Sequence, residues 1–255
     1  MNVSRKEKYL KAGETLEYLS KDVPVIIGNG YSFNTDTVLL AWYSLPKKGE
    51  TCADLGTGCG TIPLFWCTRA TPKAVWAVEL QPVACGMTRR SVELCRLEGT
   101  VHVVERDVRM LCGAGLSPGS FDTVACNPPY TADGAGVPSA AESERLARHE
   151  TGCPFGGFAE AAASLLRWGG RFFCCMRPER LCETMLALHE NGLEPKRLRF
   201  VQHRKGSAPF LFLLQANRGG RSGMSVEPVL LMENADGCLS EEMAQIYGNY
   251  KEGHL

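Results

Sequence analysis

The chain has no net charge, no long apolar run and no Cys-x-x-Cys pair. Its 28 Lys and Arg balance 28 Asp and Glu, so no overall field draws it to nucleic acid or an anionic surface. No apolar stretch approaches the about 20 residues that cross a bilayer, and no membrane association is expected. The opening MNVSRKEKYLKAGETLEYLS has no apolar core, so no secretion signal is expected and the cytoplasm is the expected compartment. Twelve cysteines without one Cys-x-x-Cys spacing disfavour a zinc site or a thioredoxin-like motif. They sit in apolar runs (Cys52, Cys126, Cys174, Cys175) or helix-like stretches (Cys67, Cys85, Cys95, Cys182). Reduced core thiols and no bound metal are therefore expected. There is no internal repeat.

What is present is a regular alternation of short apolar runs and helical patterns from Thr51 onward. Strands are expected at Cys52–Leu55, Ala74–Val78, Val101–Val104, Phe121–Cys126, Arg171–Met176, Leu198–Gln202 and Phe210–Gln215. Helices are expected at residues 60–69, Pro82–Leu97, Phe158–Trp168 and Pro178–Asn191. A β-like segment Val23–Ile27 precedes them, then a helix capped by Thr35 or Asp36 and stopped by Pro46. This order predicts a doubly wound α/β fold: a mostly parallel seven-stranded sheet, helices on both faces and an antiparallel last strand. The expected division is an extension at 1–34, the α/β domain at 35–220 and a tail at 221–255. Thr131–Gly152, rich in Ala, Gly, Ser and Glu, is expected to be a lid, a binding loop or disordered.

The first strand runs into Asp54-Leu55-Gly56-Thr57-Gly58-Cys59-Gly60. Glycines there permit a sharp strand-to-helix turn and let the backbone approach a ligand, while the helix N-terminus offers N–H groups to an anion. The spacing is G-x-G-x-G and not the dinucleotide fingerprint G-x-G-x-x-G. Glu79, closing the second strand, is placed to accept ribose hydroxyls, and Asp107, after the third, to accept an adenine amine.

The fourth strand runs into Asn127-Pro128-Pro129-Tyr130. An aromatic or amide-like amine is a poor nucleophile because its lone pair is delocalised. The Asn127 oxygen and the Pro128 carbonyl can each accept one amine hydrogen and so free that lone pair. The two prolines hold the acceptors, and Tyr130 can stack on a flat substrate. Both turns lie at the carboxyl edge of the sheet, where such folds bind ligands. Together they point to methyl transfer from S-adenosylmethionine to a planar nitrogen.

With these two motifs, and with Tyr31-Ser32-Phe33-Asn34-Thr35-Asp36, Ala147-Arg148-His149-Glu150, Arg177-Pro178-Glu179-Arg180-Leu181 and Pro195-Lys196-Arg197-Leu198-Arg199-Phe200, the chain resembles the class I S-adenosylmethionine-dependent methyltransferases that carry Asn-Pro-Pro-Tyr. More narrowly, it is similar to the bacterial tRNA adenine-N6 methyltransferases that modify the adenine 3′ of the anticodon in a valine tRNA. The resemblance implies a monomer with a tRNA substrate. It implies cofactor contacts from Thr35, Asp36, Asp54, Gly56, Thr57, Gly58, Gly60, Glu79, Leu80, Asp107, Val108 and Asn127, with Asn127, Pro128, Pro129 and Tyr130 as the catalytic set.

Charge is unevenly spread. Arg167 to Arg221 carries eleven Lys and Arg against four Glu, and from Ser222 onward one Lys faces six acidic residues. Lys196, Arg197, Arg199, Arg204 and Lys205 are expected to contact RNA phosphates, with Arg148 and His149 from the preceding loop. Two other readings stay open. A glutamine-amide methyltransferase acting on a release factor is one, although only 53 residues precede Asp54 where a helical domain would be expected. A non-catalytic RNA-binding protein that keeps the cofactor as a structural ligand is the other, against the intact Asn127 and Tyr130.

Overall fold

Apolar runs without alternation are stable only in strands covered on both faces, and that is how the central runs are used. A computed structural model of the chain describes residues 7–20, 23–111, 113, 115–128 and 153–248. Five parallel strands, β3 (Thr51–Leu55), β4 (Ala74–Glu79), β5 (Val101–Glu105), β6 (Phe121–Cys126) and β7 (Leu166–Met176), form most of one sheet. β8 (Leu193–Gln202) and β9 (Leu211–Arg218) extend it, with β9 antiparallel to both β7 and β8. With two short strands from the C-terminal segment, β10 (Ser225–Val226) and β11 (Leu230–Leu231), the order is β10-β8-β9-β7-β6-β3-β4-β5, with β11 also on β8.

Alternation along the strands divides the core. Cys52, Ala125, Phe173, Cys175 and Leu213 face one layer, and Leu55, Val124, Phe172, Cys174, Phe212 and Leu214 the other. Helices α1 (Thr35–Tyr43) and α2 (Thr61–Arg69) cover the first face, while α4 (Phe155–Leu165) and α5 (Leu181–Glu190) cover the second. Trp66 of α2 is fully buried, and its indole N–H donates to the Ala41 carbonyl at 3.1 Å and to Ser44 Oγ at 3.2 Å. A buried indole needs such a partner, and this one locks α1 against α2. Cys52, Cys59, Cys85, Cys126 and Cys174 are buried free thiols. Among the described residues no helix is long and apolar enough to cross a membrane.

The seven expected strands and the antiparallel last strand are present, and four details differ. The helix expected over Phe158–Trp168 stops at Leu165, because Leu166 already pairs with Phe121 on β6 and Gly169-Gly170 favours no helix. The helix expected to reach Leu97 is α3 (Pro82–Leu94), ended by Arg96 in the left-handed region at φ 57°. The N-cap of α1 is Asn34 and not Thr35 or Asp36: its side chain accepts from Thr37 N, which puts Thr35 on the first helical position. The expected tail is built into the fold. β10 (Ser225–Val226) and β11 (Leu230–Leu231) run parallel to β8, and α6 (Glu241–Tyr247) buries Met243, Ile246 and Tyr247.

The N-terminal hairpin, β1 (Glu14–Ser20) with β2 (Val23–Gly28), packs on α3. Ile26 N donates to Ser91 Oγ at 2.9 Å. Arg90 reaches across to Glu14 in a bidentate pair of 2.5 and 2.7 Å, with the Glu14 side chain only 2% exposed. The Arg90 hydrogen bond holds the Glu14 carboxyl below its usual value of 4.5. Removing the guanidinium would leave a buried carboxylate without its counter-ion, so Arg90→Ala is expected to destabilise the fold by about 3 kcal/mol in urea unfolding at pH 7. Because the Glu14 pKa is lowered on folding, its stabilisation is present above pH 4.5 and is lost as pH falls through the lowered value. The gap between wild type and variant should therefore narrow below pH 4.5.

Candidate active site

In the strand order, β3 lies between β4 and β6: the chain steps from β3 through β4 to β5 on one side, then returns to place β6 on the other. This is the point at which a doubly wound sheet opens a crevice at its carboxyl edge. The last paired residues of β3 and β6 are Leu55 and Cys126, so Gly56 and Asn127 leave the sheet side by side.

The turn after β3 is held by its own backbone. Gly56 N and Thr57 N both donate to the Val78 carbonyl at 2.9 Å, and Thr88 Oγ1 donates to the Gly58 carbonyl at 2.9 Å. Gly58 has φ 57° with nothing within 4 Å of the place a Cβ would occupy, so the backbone there is open to a ligand. Gly60 caps α2 at φ 84°, and a Cβ there would meet Thr88 Cγ2 at 2.6 Å.

The acids expected to hold a ligand divide into three kinds. Glu79 is 6% exposed, with Oε2 accepting Gly58 N at 2.9 Å and Oε1 accepting Leu80 N and Gln81 N at 2.8 and 2.9 Å. It ties the β3 turn to the β4 turn, and among the described residues this leaves Oε2 one further lone pair for a hydroxyl where two were expected. Asp107 caps the short helix Val108–Met110 and is clasped by Arg109, whose Nη2 lies 2.5 Å from Oδ2. That guanidinium keeps its carboxyl below the ordinary range, so it remains an ionised acceptor. Val108 behind it is buried, whereas Leu80 is exposed.

Asp54 is the third kind. It is 1% exposed, and neither its oxygens nor Thr57 Oγ1 has a hydrogen-bond partner among the described residues. Burial pushes its carboxyl up to about 7, and the negative charge of Glu79 adds to the shift. Orphaned acceptors beneath an open glycine turn suit a ligand with a cationic amine, reached directly or through water.

Asn127, on the other side, is held by groups that sequence reasoning missed. Its Nδ2 donates to Thr37 Oγ1 at 2.9 Å, and the Cys175 thiol donates to its Oδ1 at 3.3 Å. Thr37 in turn donates to Asn34 Oδ1 at 3.0 Å. The signal for Asn34 was the Asn-x-x-Thr spacing at a helix start; for Cys175 there was none, because a thiol in an apolar strand looks like any core residue. Thr35 and Asp36 occupy the same first turn. Thr35 Oγ1 lies 3.0 Å from Tyr247 Oη of α6, and Asp36 is buried. Pro128 is buried at the start of the following turn. Pro129, Tyr130, Arg148 and His149 lie outside the described residues.

The basic residues expected to meet RNA are turned toward the C-terminal segment. Arg197 pairs with Glu227, Arg199 with Glu242 through two bonds of 2.6 and 2.7 Å, and Arg204 with Glu233 at 2.9 Å. Lys196 donates to the carbonyls of Arg221 and Gly223. Lys205 is exposed. The acidic end of the chain thus meets much of the charge that looked like a basic sector, which the sequence could not reveal because the partners are roughly 30 to 40 residues apart.

Asp54 supplies a test. A carboxyl whose pKa is raised on folding gives its full stability below the ordinary value of 3.8 and loses it as pH rises toward about 7. Asp54→Asn should therefore raise the melting temperature of the ligand-free protein at pH 8 by at least about 2 °C, and by less at pH 5. A variant no more stable than wild type at pH 8 would mean that Asp54 is already satisfied.

Residues 34–150 match the Methyltransferase small domain family. Among curated proteins, the chain is 27% identical over 217 residues to the tRNA1(Val) (adenine(37)-N6)-methyltransferase of Bacteroides thetaiotaomicron, covering 85% of this chain and 88% of that one. It is 25% identical over 222 residues to the protein of the same name from Shewanella sp., covering 85% and 90%. Among solved structures, a predicted O-methyltransferase of Agrobacterium tumefaciens superposes with a TM-score of 0.67 at 22% identity, over 85% of this chain and 97% of that one. M. jannaschii TYW2 in complex with AdoMet superposes with a TM-score of 0.56 at 14% identity, over 82% and 87%. At these identities the structural likeness establishes the fold. The chain thus has the Rossmann-like fold of these methyltransferase neighbours, and its residues 34–150 carry the match to the Methyltransferase small domain.

Proposed function

We propose that the chain methylates the N6 amine of an adenine in tRNA, in the anticodon loop of a valine tRNA. The observation that carries this reading is the placement of Asn127 at the switch point, beside the glycine turn, with its side-chain amide held by Thr37 and Cys175. The names of the curated relatives support the substrate.

The residues present fit the cofactor. Gly56 to Gly60 would take its methionine end, with Asp54 beneath to face the ammonium. Glu79 would accept a ribose hydroxyl, and Asp107 the adenine amine. When bound, S-adenosyl-L-methionine supplies an electrophilic methyl group. The chain's own contribution is positional: Asn127 Oδ1 and the Pro128 carbonyl accept the two hydrogens of the substrate amine, which turns its lone pair out of the ring. Rate then comes from prearranged acceptors, with no strong base. Tyr130 would stack on the adenine once it has left the anticodon-loop stack.

The internal pairing of Arg197, Arg199 and Arg204 favours one second reading, a glutamine amide on a protein such as a release factor, which presents the same planar nitrogen without phosphates. Purified protein incubated with S-adenosyl-L-methionine and bulk tRNA should yield N6-methyladenosine in digested nucleosides by mass spectrometry. Label appearing only in protein would move the assignment to the amide. In either case Asn127→Ala should cut turnover by two or more orders of magnitude while leaving cofactor affinity by calorimetry within about twofold.

A further inference from the structure

We propose that Thr37, with Asn34 behind it, is a positioning residue that decides which way round the Asn127 side-chain amide sits. The inference rests on the reading of Asn127 as the amine acceptor and names what makes it one.

The direction of each hydrogen bond follows from a single backbone group. Thr37 N–H can only donate, so the Asn34 atom 3.1 Å from it must be the carboxamide oxygen, Oδ1. That oxygen also lies 3.0 Å from Thr37 Oγ1 and can only accept, so the hydroxyl proton of Thr37 is committed to Asn34. Thr37 Oγ1 then presents a lone pair to Asn127. The limb of Asn127 that lies 2.9 Å away must carry hydrogens and is Nδ2. The oxygen is left on the other limb, where the fully buried Cys175 thiol donates to it from 3.3 Å. Oxygen and nitrogen of a carboxamide have nearly the same shape, and only such a network tells them apart. This one runs from Thr37 N through Asn34 and Thr37 to Asn127 without a reversal.

The polarity matters because the substrate amine offers hydrogens. An Asn127 Oδ1 that meets this amine can accept one of them beside the weak donation from Cys175. With the amide reversed, an NH2 group would face an NH2 group, and the lone pair on the substrate would stay in its ring. A residue three positions into α1 therefore sets the acceptor that the β6 turn presents.

The test compares Thr37→Val, which keeps the shape and removes the hydroxyl, with Thr37→Ser, which keeps it. Thr37→Val should lower kcat about 10- to 100-fold with the dissociation constant of S-adenosyl-L-methionine within about twofold, and Thr37→Ser should recover most of the loss. In an Asn127→Ala background Thr37→Val should cost nothing more, since the group it orients is gone. A substrate-free readout separates this inference from the function it rests on. In nitrogen-15 NMR the Asn127 side-chain NH2 pair, assigned by its disappearance in Asn127→Ala, should be protected from exchange in wild type and in Thr37→Ser and lose protection in Thr37→Val.

Wild-type kcat and unchanged NH2 protection in Thr37→Val would overturn the positioning role, as would a kcat loss that Thr37→Ser does not recover. If the protein methylates no tRNA yet the NH2 protection behaves as stated, the amide orientation stands and the substrate assignment fails. Should Thr37→Val not fold, Asn34 carries the same test from the surface. Asn34→Ala releases the Thr37 proton toward Asn127 and should lower kcat and NH2 protection, while Asn34→Asp keeps the acceptor and should leave both near wild type. Equal behaviour of the two Asn34 variants would overturn the proposal.

Discussion

The parallel pairing of β3 with β6 is the constraint from which the rest of the site follows. Leu55 and Cys126 are the last partners in register, and parallel strands exit a sheet on one edge. The glycine turn and the Asn127 turn, seventy-one residues apart between Gly56 and Asn127, are thereby neighbours before any side chain is considered. The helices α1 and α2 can then contribute their N-terminal turns to the same edge. Trp66, bonded to Ala41 and Ser44, keeps those two helices in fixed relation.

Polar groups at this edge are either saturated or left open, and the difference separates scaffold from site. Glu79 spends three acceptor positions on backbone N–H groups of two loops, which stiffens the turn at the expense of its capacity for a ligand. Asp54 spends none on the described residues and has its pKa pushed up to about 7 by burial. A buried group so placed destabilises the protein alone and becomes favourable only when a ligand completes it. The glycine turn is thus rigid at one acid and strained at the other.

The C-terminal segment changes the electrostatic picture more than any other element. Glu227, Glu233 and Glu242 meet Arg197, Arg204 and Arg199 on or just after β8. Partly exposed pairs of this kind contribute modestly each, but they turn the guanidinium groups toward the C-terminal segment. Tyr247, at the end of the same segment, reaches Thr35 on the first turn of α1. The segment therefore both covers the edge of the sheet and buttresses the helix that carries Thr37.

The alternation of strand and helix, the parallel sheet and the two turns at its carboxyl edge were legible in the residues, because burial on both faces and strand-to-helix reversals impose composition directly on short windows. Leu166 joining β7 rather than the preceding helix was not, since its partner Phe121 lies far off in the chain. The incorporation of residues 225–247 was hidden for the same reason: a polar, acidic stretch declares its place only when the basic strand it meets is known. The roles of Asn34, Thr37 and Cys175 likewise came from tertiary structure, as an amide's orientation depends on donors and acceptors delivered by three separate elements. Local physics, which each residue carries with it, determined the motifs and the fold class. Partnership across the chain, which no window contains, decided which charges are spent internally and which way Asn127 points.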